Sequence, residues 1–198
     1  MPKHLLSDRD LDLIFRSART HNGWDDTPVS RTEIEAIYDL TRMGPTSANG
    51  SPARFVFCES VEAREKLAAC AMPSNGAKIR QAPLTVIIGA DMDFHTKMDR
   101  LFPHNPAMGA MFAGNEALAR ETAIRNSTLQ GAYLMIAARA LGLDCGPMSG
   151  FSKPAVDEAF FAGTRIESNF ICVIGHGTEE NMFARSPRLE FAEACQIV

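Results

Sequence analysis

The sequence lacks long hydrophobic runs and any excess of positive charge. Its longest apolar run, residues 84–90, is about seven residues, whereas a membrane-spanning helix needs about 20. The 198 residues include 20 Lys and Arg against 24 Asp and Glu, which gives a formal net charge of −4. Binding of nucleic acid requires clustered positive charge. We therefore expect a small-molecule partner, and neither a membrane nor a nucleic acid.

Cysteine is sparse and irregularly spaced. The five cysteines are odd in number and form no C-x-x-C pair: Cys58, Cys70, Cys145, Cys172 and Cys195. This pattern favours reduced thiols over a disulfide framework. The N-terminal residues also lack the apolar stretch of a secretory signal. We therefore predict a cytoplasmic protein.

Common catalytic motifs are missing as well. The chain contains no G-x-x-x-x-G-K-[ST] phosphate loop, no H-E-x-x-H zinc motif and no G-x-S-x-G nucleophile elbow. Gly175-His176-Gly177 matches part of a dinucleotide fingerprint but lacks the third glycine and a following helix. The segment from Asp91 to His95 alternates possible ligands, yet acidic residues after a strand are more typical of helix caps. We expect no metal site.

The hydrophobic pattern predicts one domain over residues 1–198, because no repeat or long linker interrupts it. Ser30 and Glu33 form a capping-box pattern that starts a helix near Arg31, and Gly44-Pro45 ends that helix. Further helices are predicted over 5–19, 61–72, about 115–141 and 154–161, and strands over 54–58, 84–90 and 170–175. Helices outnumber strands, which indicates an α+β or mixed α/β class.

Two arginine clusters stand near opposite ends of the chain. Arg16-Ser17-x-Arg19 and Arg185-x-x-Arg188 each place two guanidinium groups within four residues. Arginine binds phosphate through a planar fork of donors, so converging clusters would suit a phosphomonoester. Either cluster alone is also typical of a solvated basic edge. The polar segments 45–52 and 75–78, taken alone, are typical of turns.

Taken in order along the chain, these segments resemble the FMN-dependent nitroreductase family, and the resemblance covers almost the whole sequence. The matching segments are Arg16-Ser17-x-Arg19, Gly44 to Pro52, Asn75-x-x-Lys78, Gly142 to Phe151, and Arg185-x-Pro187-Arg188-Leu189. Within that family, residues 18–24, 45–54 and 183–189 are most similar to the malonic semialdehyde reductases of bacterial pyrimidine utilisation.

The resemblance implies an α+β fold in which helices surround a small, mainly antiparallel sheet. It also implies an intertwined homodimer with FMN bound at the interface. The residues that would hold the phosphate and ribityl end of FMN are Arg16, Ser17, Arg19, Arg185 and Arg188. Those that would line the flavin from the other subunit are Pro45, Thr46, Ser47 and Asn49.

The resemblance further assigns the ring end of the cofactor. Asn75 and Lys78 would meet the pyrimidine edge of the flavin. The wall beside N5 and O4 would consist of Pro147, Met148, Ser149 and Gly150. Lys78, Ser149 and Gly150 would then lie near the reactive ring. No side chain is expected to act as a nucleophile, because the cofactor carries the chemistry.

Two positions depart from the family pattern. Position 51 is Ser where many nitroreductases carry Gln, and position 53 is Ala where an aromatic residue is common. The substrate end of the pocket is therefore expected to differ from that of other nitroreductases.

The activity implied by the resemblance is ping-pong hydride transfer from NADH or NADPH, through FMN, to malonic semialdehyde, which gives 3-hydroxypropionate. A broad NAD(P)H nitro or quinone reductase is the alternative with the same chemistry. A flavin-binding protein without turnover and a structural dimer with basic surface clusters are more distant alternatives.

Overall fold

Six strands form two antiparallel sheets in the computed structural model, which describes residues 4–198. The strands are β1 (Gly23–Trp24), β2 (Ala53–Cys58), β3 (Leu84–Asp91), β4 (Asp144–Met148), β5 (Ile166–Gly175) and β6 (Gly177–Thr178). The main sheet has the order β2-β3-β5-β4, and β1 pairs with β6. All eight residues of β3 are buried, because this strand is paired on both sides and covered on both faces.

Helices cover both faces of the main sheet. They are α1 (Asp8–Leu11), α2 (Arg31–Thr41), α3 (Val61–Ala68), α4 (Pro73–Gln81), α5 (Met98–Leu101), α6 (Ala107–Ala113), α7 (Glu116–Ala140), α8 (Lys153–Phe160) and α9 (Phe191–Ala194). A π-helical turn, Asp12–Arg16, continues α1, and 3₁₀ turns span Ser47–Asn49 and Phe94–Lys97. None of the helices in residues 4–198 combines the length and the hydropathy needed to cross a membrane.

The side chains of β3 and β5 alternate between two hydrophobic clusters, as the period of two along a strand requires. One cluster, the α7 face, joins Val86 and Ile88 to Leu134 of α7. The opposite cluster, the α4 face, joins Ile87 to Ile79 of α4 and Leu67 of α3. Because α7 and α4 pack on opposite faces, the sheet separates the segments that contact each helix.

The sequence predicts the boundaries of α2 and α7 correctly. The amide of Glu33 donates to Ser30 Oγ at 3.3 Å, and the amide of Ser30 donates to Glu33 Oε2 at 2.7 Å, so the capping box is confirmed. The hydrogen bonds from the Ser30 side chain and backbone lower the pKa of the Glu33 carboxyl. Gly142 follows α7 with φ of 82°, a conformation that suits glycine at a helix C-terminus.

The helix predicted over 61–72 begins at Val61 as expected but ends four residues earlier than predicted. The chain forms α3, which ends at Ala68, and then α4, which begins at Pro73. Proline fits the first turn of a helix because its missing N–H would have no partner there. The segment Asn75–Lys78, interpreted alone as a turn, therefore lies on α4.

Several other regions differ from the sequence prediction. β4 was not predicted, because Gly146 and Pro147 disfavour a strand; Pro147 is accommodated since β4 lies at the edge of the sheet. β5 begins at Ile166, ahead of the predicted 170–175. The short helices α5 and α6 were not predicted either.

All five cysteines are free thiols, as their spacing predicts. Burial raises the pKa of the Cys58 thiol to about 11. Hydrogen bonding with Cys145, together with burial, raises the pKa of the Cys172 thiol well above its usual value. The Cys58 and Cys172 thiols are therefore protonated parts of the core at neutral pH, with little nucleophilic character.

Candidate flavin-binding site

The fold brings the two arginine clusters together, although they lie near opposite ends of the chain. The Arg19 guanidinium donates to the carbonyl of Phe183. Arg185 Nη2 donates to the carbonyl of Ala18 at 3.0 Å, across 167 positions of sequence. The two clusters thus form one cationic edge, which the sequence suggests only through the resemblance.

The arginines of this edge differ in how their charges are compensated. Arg16 forms ion pairs with Asp8 at 2.8 Å and Asp12 at 2.7 Å. Arg188 Nη1 donates to two nearby backbone carbonyls, at 2.8 and 3.2 Å. In the described part of the chain, Arg19, Arg185 and Arg188 have no carboxylate partner, so their positive charges remain available to an anion.

Strand β4 leads from the cationic edge to a second group of donors. Thr20, next to Arg19, forms a parallel bridge with Cys145 near the start of β4. At the other end of β4, the carbonyl of Gly150 accepts from Asn75 Nδ2 at 3.1 Å and from the amide of Met72 at 3.0 Å. The segment Pro147–Gly150 and helix α4 are therefore in direct contact.

The backbone beside Asn75 is open to a ligand. The amides of Ser149 and Gly150 have no protein acceptor within residues 4–198. A Cβ atom on Gly150 would lie 2.5 Å from Asn75 Nδ2 and 2.9 Å from Met72 Sδ, so a larger residue here would displace the Asn75 and Met72 side chains. Lys78 follows Asn75 by three positions and shares its side of α4. Lys78 is half-buried.

The separation of the two donor groups suits an elongated ligand. Five residues lead from Cys145 to Gly150, which corresponds to at most about 17 Å of extended chain. Guanidinium groups lie at one end of this path, and backbone amides with an Asn and a Lys side chain lie at the other. This donor set fits a ligand with a phosphate at one end and a polar planar ring at the other, such as FMN.

The segment Pro45–Asn49 has a constrained backbone. Ala48, Asn49 and Ser51 have φ values of 48°, 50° and 42°, in the left-handed region that non-glycine residues rarely adopt. The amide of Ser47 donates to Asn126 Oδ1 at 2.7 Å. Such strain persists only where surrounding contacts hold it, and it is concentrated at functional sites.

One chain does not bring Pro45–Asn49 to the other flavin-site segments. Ser47 contacts Asn126 of α7 and thus lies on the α7 face, whereas Asn75 belongs to α4 on the opposite face. β2 and β4 are also opposite edges of the main sheet, three strand spacings or about 14 Å apart. Within one chain, the segment Pro45–Asn49 therefore lies apart from the other predicted site residues.

Sequence reasoning missed the two buried amides that hold this region. Asn126 Nδ2 also donates to Ser47 Oγ at 3.2 Å, and Gln130 Oε1 accepts from the amide of Ala53 at 2.8 Å. Asn126 and Gln130 are one helical turn apart on α7, and both are buried. The sequence does contain a signal for these residues. Asn and Gln four positions apart, on a helix otherwise rich in small residues, lie on the same side of that helix and can both bond a neighbouring segment.

A cavity of about 790 Å³ adjoins Asn49 on the α7 side. We call it the cationic cavity; its lining includes Arg42, Arg54, Lys97, Arg100, Ser51 and Ala53. Asp91, which the sequence suggested as a weak metal candidate, instead pairs with Arg54 at 2.5 Å beside this cavity. Within residues 4–198 no three His, Cys, Asp or Glu side chains converge as metal ligands.

The sheet, its two helical layers and the paired donor groups define an α+β protein with a site for a phosphorylated planar ligand. The chain belongs to the nitroreductase family, whose sequence model matches residues 16–177.

Relatives and solved structures agree with this family. A Cupriavidus pinatubonensis protein, provisionally named NADH dehydrogenase/NAD(P)H nitroreductase, is 57% identical over 94% of this chain and 96% of its own length. A Caulobacter vibrioides protein with the same provisional name is 56% identical over 98% of each chain. A nitroreductase-type structure from Exiguobacterium sibiricum, in complex with FMN, is 21% identical and covers 100% of both chains with a TM-score of 0.86.

Proposed function

We propose that this chain is an FMN-dependent oxidoreductase that takes hydride from NADH or NADPH and reduces nitro or quinone compounds by a ping-pong mechanism. One observation carries the proposal. Within the described residues, β4 connects arginines that have no carboxylate partner to backbone amides that have no protein acceptor. The names of the close relatives and the FMN in the Exiguobacterium structure support the same chemistry. Residues 1–198 would act as one FMN-binding unit.

The residues have separate tasks in this proposal. Arg19, Arg185 and Arg188, with Ser17 beside them, bind the phosphate. Arg16 belongs to the same edge, but its two aspartate partners reduce its contribution. Bound FMN supplies the two-electron chemistry that connects the nicotinamide to the second substrate.

At the ring end, the chain supplies orientation and charge. The amides of Ser149 and Gly150 donate to the flavin edge, and Pro147 and Met148 form the wall beside it. Asn75 is oriented by its hydrogen bond to the carbonyl of Gly150. Lys78 places a positive charge beside the ring. These groups are fixed before substrate arrives, so little reorganisation accompanies hydride transfer.

We propose that the active form is a homodimer in which Pro45, Thr46, Ser47 and Asn49 reach the flavin bound by the partner. The C-terminal segment supports this proposal, because Phe183 is 78% exposed and Phe191 is 63% exposed. Leu129 and Tyr133 are also exposed on α7. A second chain would remove these large apolar side chains from water, which favours association.

Dimerisation and FMN binding are therefore expected to occur together. Light scattering coupled to size exclusion should show a dimer whose flavin-to-protein ratio is one per chain. A stable monomer with full FMN occupancy would contradict the shared site, since Pro45–Asn49 could not then come from a partner.

Anaerobic spectroscopy tests the activity. The purified protein is expected to show visible flavin absorbance, to lose it on addition of NADH or NADPH, and to regain it when a nitroaromatic compound is added. If no flavin remains bound after incubation with FMN and removal of the unbound FMN, the enzyme is excluded. If neither NADH nor NADPH bleaches the flavin absorbance, the protein binds flavin but does not turn over.

Malonic semialdehyde is a second candidate substrate, and its product would be 3-hydroxypropionate. The observation that favours it is the cationic cavity, which suits a small substrate with a carboxylate. Stopped-flow reoxidation of the NADH-reduced enzyme by malonic semialdehyde and by a nitroaromatic compound compares the two candidates directly. Faster reoxidation by the aldehyde would assign it as the substrate.

A further inference from the structure

The cationic cavity lies beside the segment that the proposed dimer directs at the flavin. Asn49 Nδ2 donates to the carbonyl of Leu101, the last residue of α5, at 2.8 Å. Arg100 is the preceding residue on α5 and lines the cavity together with Ser51. This hydrogen bond therefore fixes the position of Arg100 relative to the constrained backbone at Asn49.

The charges around the cavity are not balanced. Its lining includes four cationic side chains and no acidic one. Arg54 Nη2 and Lys97 Nζ approach the same oxygen, Asp91 Oδ2, at 2.5 and 3.5 Å, so one carboxylate serves two cations. Arg42 is paired separately with Asp39 at 3.0 Å.

Arg100 is the cation of this lining that has no assigned partner. Within the described residues, its guanidinium forms neither an ion pair nor a hydrogen bond. Arg54 has fewer donors left for a ligand, because it also donates to the carbonyls of Ser51 and Ala53 at 3.0 and 2.8 Å. The donors of Arg100 are thus available to a ligand in the cavity.

We propose that Arg100 binds the carboxylate of an acidic electron acceptor and makes the enzyme prefer acceptors that carry a carboxylate. A guanidinium offers two parallel donors to a carboxylate, which fixes orientation as well as charge. Lys97 adds a second positive charge at the same wall. Ser51 and Ala53 have small side chains, which leave room for the rest of the substrate. This inference rests on the proposed function, because the substrate must reach the flavin beside Asn49.

Two measurements on the FMN-loaded protein test the role of Arg100. The first is calorimetric binding of malonate, a non-reacting three-carbon carboxylate. The second is NADH-dependent reduction of 4-nitrobenzoate and of 4-nitrobenzyl alcohol, which differ in the carboxylate. Arg100→Gln is expected to raise the malonate Kd about tenfold or more. It should lower the ratio of kcat/KM for the acid to that for the alcohol by a similar factor.

Matched variants separate the charge of Arg100 from other effects. Arg100→Lys should retain part of the malonate affinity, and Arg100→Met provides a second neutral variant if Arg100→Gln fails to fold. Arg31→Gln is the control, because Arg31 is an exposed arginine on α2 paired with Glu35, outside the cavity. Its malonate affinity and substrate ratio are expected to match those of the original protein.

The outcomes distinguish this inference from the proposed function. The carboxylate site would be overturned if malonate did not bind. It would also be overturned if the original protein and the Arg100→Gln variant bound malonate with equal affinity. An unchanged substrate ratio alongside active nitro reduction would also overturn it, while the proposed function stands. Failure to reduce either nitro compound would contradict the proposed function, and malonate binding would still decide the role of Arg100.

Discussion

Replacing Arg185 by alanine is expected to weaken FMN binding by about 1.5–3 kcal/mol, roughly 10- to 150-fold. The guanidinium has no carboxylate partner in the described chain and lies against Ala18 of the other arginine cluster. A hydrogen bond to a charged phosphate is stronger than one between neutral groups, so its loss has a large effect. Fluorescence titration of the apoprotein with FMN measures the change.

Riboflavin separates a phosphate contact from a general loss of structure. It carries the same ring without the phosphate, so its affinity should change little in Arg185→Ala. Arg16→Ala is the matched control, because Asp8 and Asp12 already compensate that arginine. An equal loss for FMN and riboflavin would place Arg185 away from the phosphate.

Replacing Lys78 by methionine is expected to lower the two-electron midpoint potential of bound FMN by about 30–60 mV, or about 1.4–2.8 kcal/mol. Reduction adds negative charge to the ring, and a nearby ammonium stabilises that charge more than it stabilises the neutral oxidised ring. Reduction by NADH should slow accordingly. The potential is measured by anaerobic equilibration with a reference dye.

The affinity for oxidised FMN should change less than the potential, because the oxidised ring is neutral. Lys78→Arg should largely preserve the potential. Lys66→Met is a control for loss of a lysine, since Lys66 is on α3 and donates to the carbonyl of Ala159. A fully loaded Lys78→Met protein with the original potential would show that Lys78 exerts no electrostatic effect on the ring.

Local sequence patterns determined the elements whose boundaries depend on neighbouring residues. The capping box of Ser30 and Glu33 and the positive φ of Gly142 follow from hydrogen bonding and sterics within a few residues. The strand over 84–90 follows from a run of apolar side chains that requires burial on both faces. The order of motifs along the chain was also sufficient to identify the family.

Other features required the tertiary structure, because they depend on contacts between distant parts of the chain. The amides of Asn126 and Gln130 have a structural role only because α7 packs beside the segment that contains Ser47. Strand β4 forms despite Pro147 because it lies at the edge of the sheet. At an edge, the N–H that proline lacks is not needed for a hydrogen bond to a further strand.

The sequence by itself determined the class of fold, the principal helices and strands, and the residues to examine as a flavin site. The tertiary structure alone decided that Arg19 and Arg185 share one edge, that Asn75 lies on a helix, and that Arg100 faces a cavity without a carboxylate partner. The physical reason is the distance along the sequence over which each interaction acts. Capping and periodicity act over a few residues, whereas the pairing of charges depends on which segments the packed sheet brings together or keeps apart.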